Sequence, residues 1–137
     1  MSCDIHMQVE EQFDGEWLYA PYPEEEVYSM RNYFLFGLLA GVKGTERFFY
    51  PKGFPLDSSV EVANMYEYDK ENFHTPNFLT FPEILRQDWH KTIIETVDGE
   101  DFEFTFAQKC PEFWIKTVPL LAQMGESRIV FWFDNAL

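Results

Sequence analysis

At the head of the chain, Cys3, Ile5, Met7 and Val9 alternate with Asp4, His6, Gln8 and Glu10. A period of two puts each set on one face of an extended segment, so the stretch reads as a half-buried strand. Asp14-Gly15 follows as a hairpin turn, because glycine tolerates the positive φ that such turns demand. Glu16-Trp17-Leu18-Tyr19 is the returning strand, and Pro21 and Pro23 end it. At the other end, Arg128 to Phe133 (RIVFWF) is the most apolar extended run and reads as central to a sheet, lying beside the first strand.

The segments between carry helical signals. From Ser29 to Val42, apolar residues recur at Met30, Phe34, Leu35, Leu38, Leu39 and Val42, a helical stripe with Gly41 or Gly44 as its stop. Glu24, Glu25 and Glu26 after Pro23 suit an earlier first turn, where the helix dipole favours acids. Residues 45–56 read as a packed loop. Asp57-Ser58-Ser59 with Glu61 starts a short helix to about Tyr66, and Tyr68 to Asn77 reads as a polar loop. Thr80-Phe81-Pro82-Glu83 matches a capping box with Leu79 and Ile84 as a staple, predicting a helix from Phe81 to about Ile93. Asp98-Gly99 is a turn, and Phe102, Phe104 and Phe106 alternate as a strand. Pro111 to Met124 is a last helix that Pro119 must kink or split.

This order predicts an α+β fold in one domain, 1–137: a small, mostly antiparallel sheet of N-terminal hairpin plus C-terminal strand, with helices packed on one face. The length suffices for a core, and 15 Phe, 7 Tyr and 4 Trp supply large rigid pieces for it. No apolar run approaches the roughly 18–20 residues that cross a bilayer, so no membrane partner is expected. The first six residues lack the charged and apolar regions of a signal peptide. Cys3 and Cys110 are too few and too far apart for a disulfide framework and read as buried, reduced thiols.

Charge is unevenly spread. The formal net charge is −14, and residues 1–30 hold eight carboxylates with no Lys or Arg. Such a field repels phosphates, which disfavours direct nucleic-acid binding and suits a protein partner with a basic surface. Glu10, Glu11, Glu24, Glu25 and Glu26 are the candidate partner-binding residues, and rows of carboxylates of this kind also suit mimicry of DNA. The same charge serves solubility.

Two further constellations point elsewhere. Asp4 and His6 share a strand face, Asp134 approaches them if first and last strands pair, and His74 adds a fourth ligand. Two His and two carboxylates suit zinc, manganese or iron, although a solvated polar face explains the same spacing. No cofactor is otherwise expected. Arg31-Asn32-Tyr33 at the start of an apolar helix, with Trp89 as a stacking surface, forms a candidate site for a small anionic ligand; an Arg tied to nearby glutamates is the plainer reading. No Gly-x-Ser-x-Gly elbow and no Gly-rich phosphate loop occurs, so no catalytic residue is assigned.

Cys3-Asp4-Ile5-His6, Arg31-Asn32-Tyr33 with Leu35-Phe36 and Leu39-Ala40, and Pro51-Lys52-Gly53-Phe54-Pro55 resemble stretches in a family of small uncharacterised proteins encoded by tailed bacteriophages. Leu79-Thr80 with Glu83 and Leu85, and Val130-Phe131-Trp132-Phe133-Asp134-Asn135, extend the resemblance across nearly the whole chain. Such proteins carry a His-Ser-x-Ser-Trp run before the Leu-Thr pair; His74-Thr75-Pro76-Asn77-Phe78 keeps the His and lacks the serines. The resemblance implies an accessory protein acting in the host cytoplasm and brings no catalytic residue. The expected function is non-catalytic binding of a host or phage macromolecule through an acidic face. Sequestering a nucleotide signal and metal-dependent hydrolysis are the alternatives.

Overall fold

A computed structural model describes residues 2–135 of the 137-residue chain. The order is β1 (Asp4–Phe13), β2 (Glu16–Ala20), α1 (Glu24–Val27), α2 (Tyr33–Ala40), α3 (Val60–Glu67), β3 (Phe73–Thr80), α4 (Phe81–Leu85), β4 (Thr92–Val97), β5 (Glu100–Thr105), α5 (Phe106–Lys109), a π-helical turn (Phe113–Thr117), α6 (Val118–Ala122) and β6 (Glu126–Asp134). The fold is α+β, with a four-stranded antiparallel sheet ordered β2-β1-β6-β3 and a separate two-stranded sheet of β4 and β5.

The predicted hairpin forms around Asp14 and Gly15, both at positive φ, and β6 occupies the interior beside β1. The register sets Ile5 against Phe133, Met7 against Phe131 and Val9 against Ile129, so the centre of one sheet face is apolar. Leu35, Leu38 and Leu39 of α2 and Leu121 of α6 close it, with none of their surface exposed. The opposite face carries Val130 and Trp132, covered by Val62 and Tyr66 of α3. Most helices thus share the first face, while α3 lies on the second.

Several boundaries differ from the sequence reading. The expected helix over 29–42 is confined to α2, where Asn32 caps the start and Gly41 ends it in the left-handed conformation (φ 71°); Glu24–Glu26 fold into the separate turn α1. The segment read as a polar loop contains β3. Its signal is hidden by Thr75 (φ 52°) and Pro76, which form a β-bulge against β6. The capping box at Thr80 and Glu83 forms, yet α4 ends at Leu85 instead of Ile93. Trp89 turns inward to donate to the Ile84 carbonyl at 2.8 Å, and Thr92 begins β4. Phe106 belongs to α5 and not to the strand before it. The last helix is interrupted before Pro119: a π-helical turn over Phe113–Thr117 precedes α6, where Pro119 takes one of the first positions.

Candidate functional site

The second sheet face holds two groups of the residues singled out in the sequence, one around Glu10 and one around His6. At its centre, Glu10 of β1 pairs across the sheet with Arg128 of β6. Arg128 Nε donates to Glu10 Oε1 at 2.7 Å; Nη2 sits 2.7 Å from the same oxygen without hydrogen-bond alignment. Glu10 Oε2 accepts the Ser59 N–H at 2.6 Å, and Arg128 Nη1 reaches Asp57 Oδ1 at 3.0 Å. The guanidinium lies over the Trp17 ring, 4.2 Å from its centroid. Glu10 is 0% and Arg128 2% exposed, so Glu10 does not belong to an exposed acidic face: it anchors the N-terminus of α3 to the sheet. A buried charge survives only when paired and hydrogen-bonded, and here both conditions hold.

At one end of the same face, His6 has a carboxylate at each ring nitrogen. Nδ1 lies 3.2 Å from Glu24 Oε1 on α1, and Nε2 lies 2.5 Å from Asp134 Oδ2 on β6. The hydrogen bond to Glu24, against the opposing effect of burial and aided by Asp134, pushes the imidazole from 6.5 up to about 9. At neutral pH His6 is therefore an imidazolium donating from both nitrogens. It joins three elements that sequence places far apart. Glu24 also accepts from Gln8 at 3.0 Å.

The proposed four-ligand metal set is not assembled. His74 pairs with Phe133 and stacks on it, which puts it on the face opposite His6. Its Nε2 lies 3.1 Å from Asn135 Oδ1. Asp4 stands opposite Asp134 but is held by Arg31, whose Nε and Nη2 both donate to Asp4 Oδ1 at 2.9 and 2.7 Å. Among the described residues, no group of three or more His, Cys, Asp or Glu is placed to hold a metal ion.

The anion-site residues are likewise engaged in the fold. Arg31 spends its fork on Asp4 and not on the α1 glutamates. Asn32 accepts the Leu35 N–H and donates to the Lys109 carbonyl, and the Tyr33 hydroxyl accepts the Cys3 N–H. Trp89, 2% exposed, is a core residue. Both thiols are buried and free, and burial pushes Cys110 up to about 12, far from a thiolate nucleophile.

The fold disperses the acidic block. Besides Glu10 and Glu24, Glu11 is occupied, accepting the Gly125 N–H at 2.8 Å; Glu25 and Glu26 remain exposed on α1. A different concentration appears where the β1–β2 turn meets the start of α3. Glu16, Asp57 and Glu61 rim an open groove of about 340 Å³ floored by Trp17, Leu18 and Val60. Asp57 and Glu61 were visible in the sequence only as a helix start; their approach to Glu16 is made by the Glu10–Arg128 anchor. The groove lies on an α+β fold. No helix among the described residues is long and apolar enough to cross a membrane. Compared with protein-family models, curated proteins and solved structures, the chain finds no match.

Proposed function

We propose that this chain is a non-catalytic binding protein that presents carboxylates to a basic protein surface, acting as a phage accessory protein in the host cytoplasm. The supporting observation is the groove rimmed by Glu16, Asp57 and Glu61. Three acids line it beside an apolar floor; Asp57 already accepts from the buried Arg128, whose other partner is Glu10, and Glu16 and Glu61 lie exposed at the rim. A Lys or Arg side chain of a partner would gain both attraction from the rim and cover for its aliphatic stem on Trp17 and Val60. An inhibitor that occupies a nucleic-acid-binding groove is one form such a protein takes. The sequence resemblance supplies the phage context.

The test is affinity capture from host extract with the wild-type chain and with Glu16→Lys/Glu61→Lys, both exposed positions. A basic protein retained by the wild type, released by rising salt and absent from the variant supports the proposal. Equal capture by both chains sinks this surface as the binding face.

A further inference from the structure

The β4–β5 hairpin stands apart from the four-stranded sheet, and its outer edges pair with no other strand among the described residues. Its turn, Asp98-Gly99, has φ of 53° and 79°, the double left-handed geometry of a two-residue connection. Val97 and Glu100 are then a hydrogen-bonded pair, as are Glu95–Phe102 and Ile93–Phe104. The Phe106 N–H donating to the Lys91 carbonyl at 2.8 Å continues the same parity. Thr92, Ile94 and Thr96 therefore turn their backbone N–H and C=O groups outward, along an edge where Ile94 is 64% exposed.

The two edges of the hairpin differ. On β5 the outward residues include Asp101 and Glu103, and the Thr105 N–H is already bonded to Gln108 Oε1 at 2.8 Å. Charges of this kind guard an edge against further pairing. On β4 the outward residues read Thr-Ile-Thr, uncharged, β-branched and symmetric about Ile94. Glu95, the one carboxylate of β4, points to the other face and is matched by Lys109.

We propose that the β4 edge pairs with the β4 edge of a second copy of this chain, antiparallel about a two-fold axis at Ile94, making a continuous four-stranded sheet. In that register Ile94 faces Ile94 of the second copy, Thr92 faces Thr96, and Ile93 faces Glu95. No carboxylate meets another directly. The same register lays Lys91 beside Val97 of the second copy with neighbouring Glu100, so the lysine at the base of each hairpin meets the acidic tip of the other. A parallel alignment would set base against base and forfeit this match. A basic foreign strand would find the β4 edge uncharged at every outward position, which favours the self-pairing.

A strand pair of this length buries less than the roughly 1,000 Å² of a stable interface, and the net charge opposes association, so the dimer is weak and concentration-dependent. Sedimentation equilibrium should give a mass rising from one chain toward two between about 1 µM and 1 mM. Ile94→Lys, at an exposed site, should keep the circular dichroism of the wild type and weaken dimerisation about tenfold or more, because like charges then meet on the axis. Ile94→Cys should cross-link to itself under mild oxidation, since hydrogen-bonded partners sit about 5.5 Å apart at Cα. Thr96→Cys alone should cross-link far more slowly, and a mixture of Thr92→Cys and Thr96→Cys should restore the rate. Cys3 and Cys110 are buried and stay silent. A chain monomeric at every concentration, a dimer indifferent to Ile94→Lys, or self-cross-linking faster at Thr96→Cys than at Ile94→Cys would each overturn the proposal.

Discussion

One face of the four-stranded sheet is closed by Met7, Phe131, Phe133 and Ile129 against aliphatic helices; the other is closed, over the same two central strands, around Glu10 and Arg128. Both are dry at the centre. The apolar face rests on contacts that are many and non-directional, so truncating one side chain leaves a cavity but strands no partner. The charged face depends on a single pair whose members protect each other. Burial alone thus says little about fragility; what matters is whether removing one group strands another.

That contrast can be broken directly. Arg128→Ala should cost about 3–5 kcal/mol by leaving Glu10 buried and uncompensated, and Phe131→Ala should cost a similar ~3–5 kcal/mol through its cavity. The two separate in the double variant: Glu10→Met/Arg128→Leu should recover part of the loss, leaving about 1–3 kcal/mol for the buried Ser59 N–H that Glu10 no longer accepts. Chemical denaturation of the four chains decides it, and a double variant as unstable as Arg128→Ala would refute the account of that face.

A smaller effect sharpens the comparison at the sheet end. The folded-state pKa of His6, raised from 6.5 to about 9, means its stabilisation is fully present below about pH 6.5 and is lost as pH rises through 9. Solvent at Glu24, whose side chain is 37% exposed, reduces the contribution to about 1–2 kcal/mol. The difference in unfolding free energy between wild type and His6→Gln should therefore shrink from about pH 6 to about pH 10; a constant difference would mean that the imidazole titrates in the fold as it does in the unfolded chain. The smallest expected change is Thr80→Ala, about 1 kcal/mol, which removes the capping box of α4 without touching either buried pair. It should leave the pH dependence unaltered in the same titration.

Legibility followed the range of each interaction. The β1–β2 hairpin, the cap at Ser59 and the box at Thr80 depend on residues a few positions apart, and the residues announce them. β6 was readable from its unbroken apolar run. β3 was not, because a bulge at Thr75-Pro76 erases its alternation and its pairing comes from β6. The expected length of α4 failed because β-branched Thr92, Ile93 and Ile94 are claimed by a hairpin whose turn lies beyond them. Glu10 looked like any polar residue on a solvated strand face; only Arg128, 118 positions later, and α3 make it interior. The acids of the candidate groove are legible one by one and their convergence is not.

The pairing of the first described strand with the last also sets a clock. β1 and β6 form the centre of the sheet, yet more than a hundred residues separate Ile5 from Phe133. Contacts of such sequence separation carry the largest loop-closure cost and slow the search for the native state. On the ribosome, β1 and β2 emerge early with an open edge, and nothing downstream can cover that edge until β6 has been synthesised. A nascent chain stalled before residue 126 would present the unpaired backbone edge of β1 to whatever chaperone or neighbour is at hand.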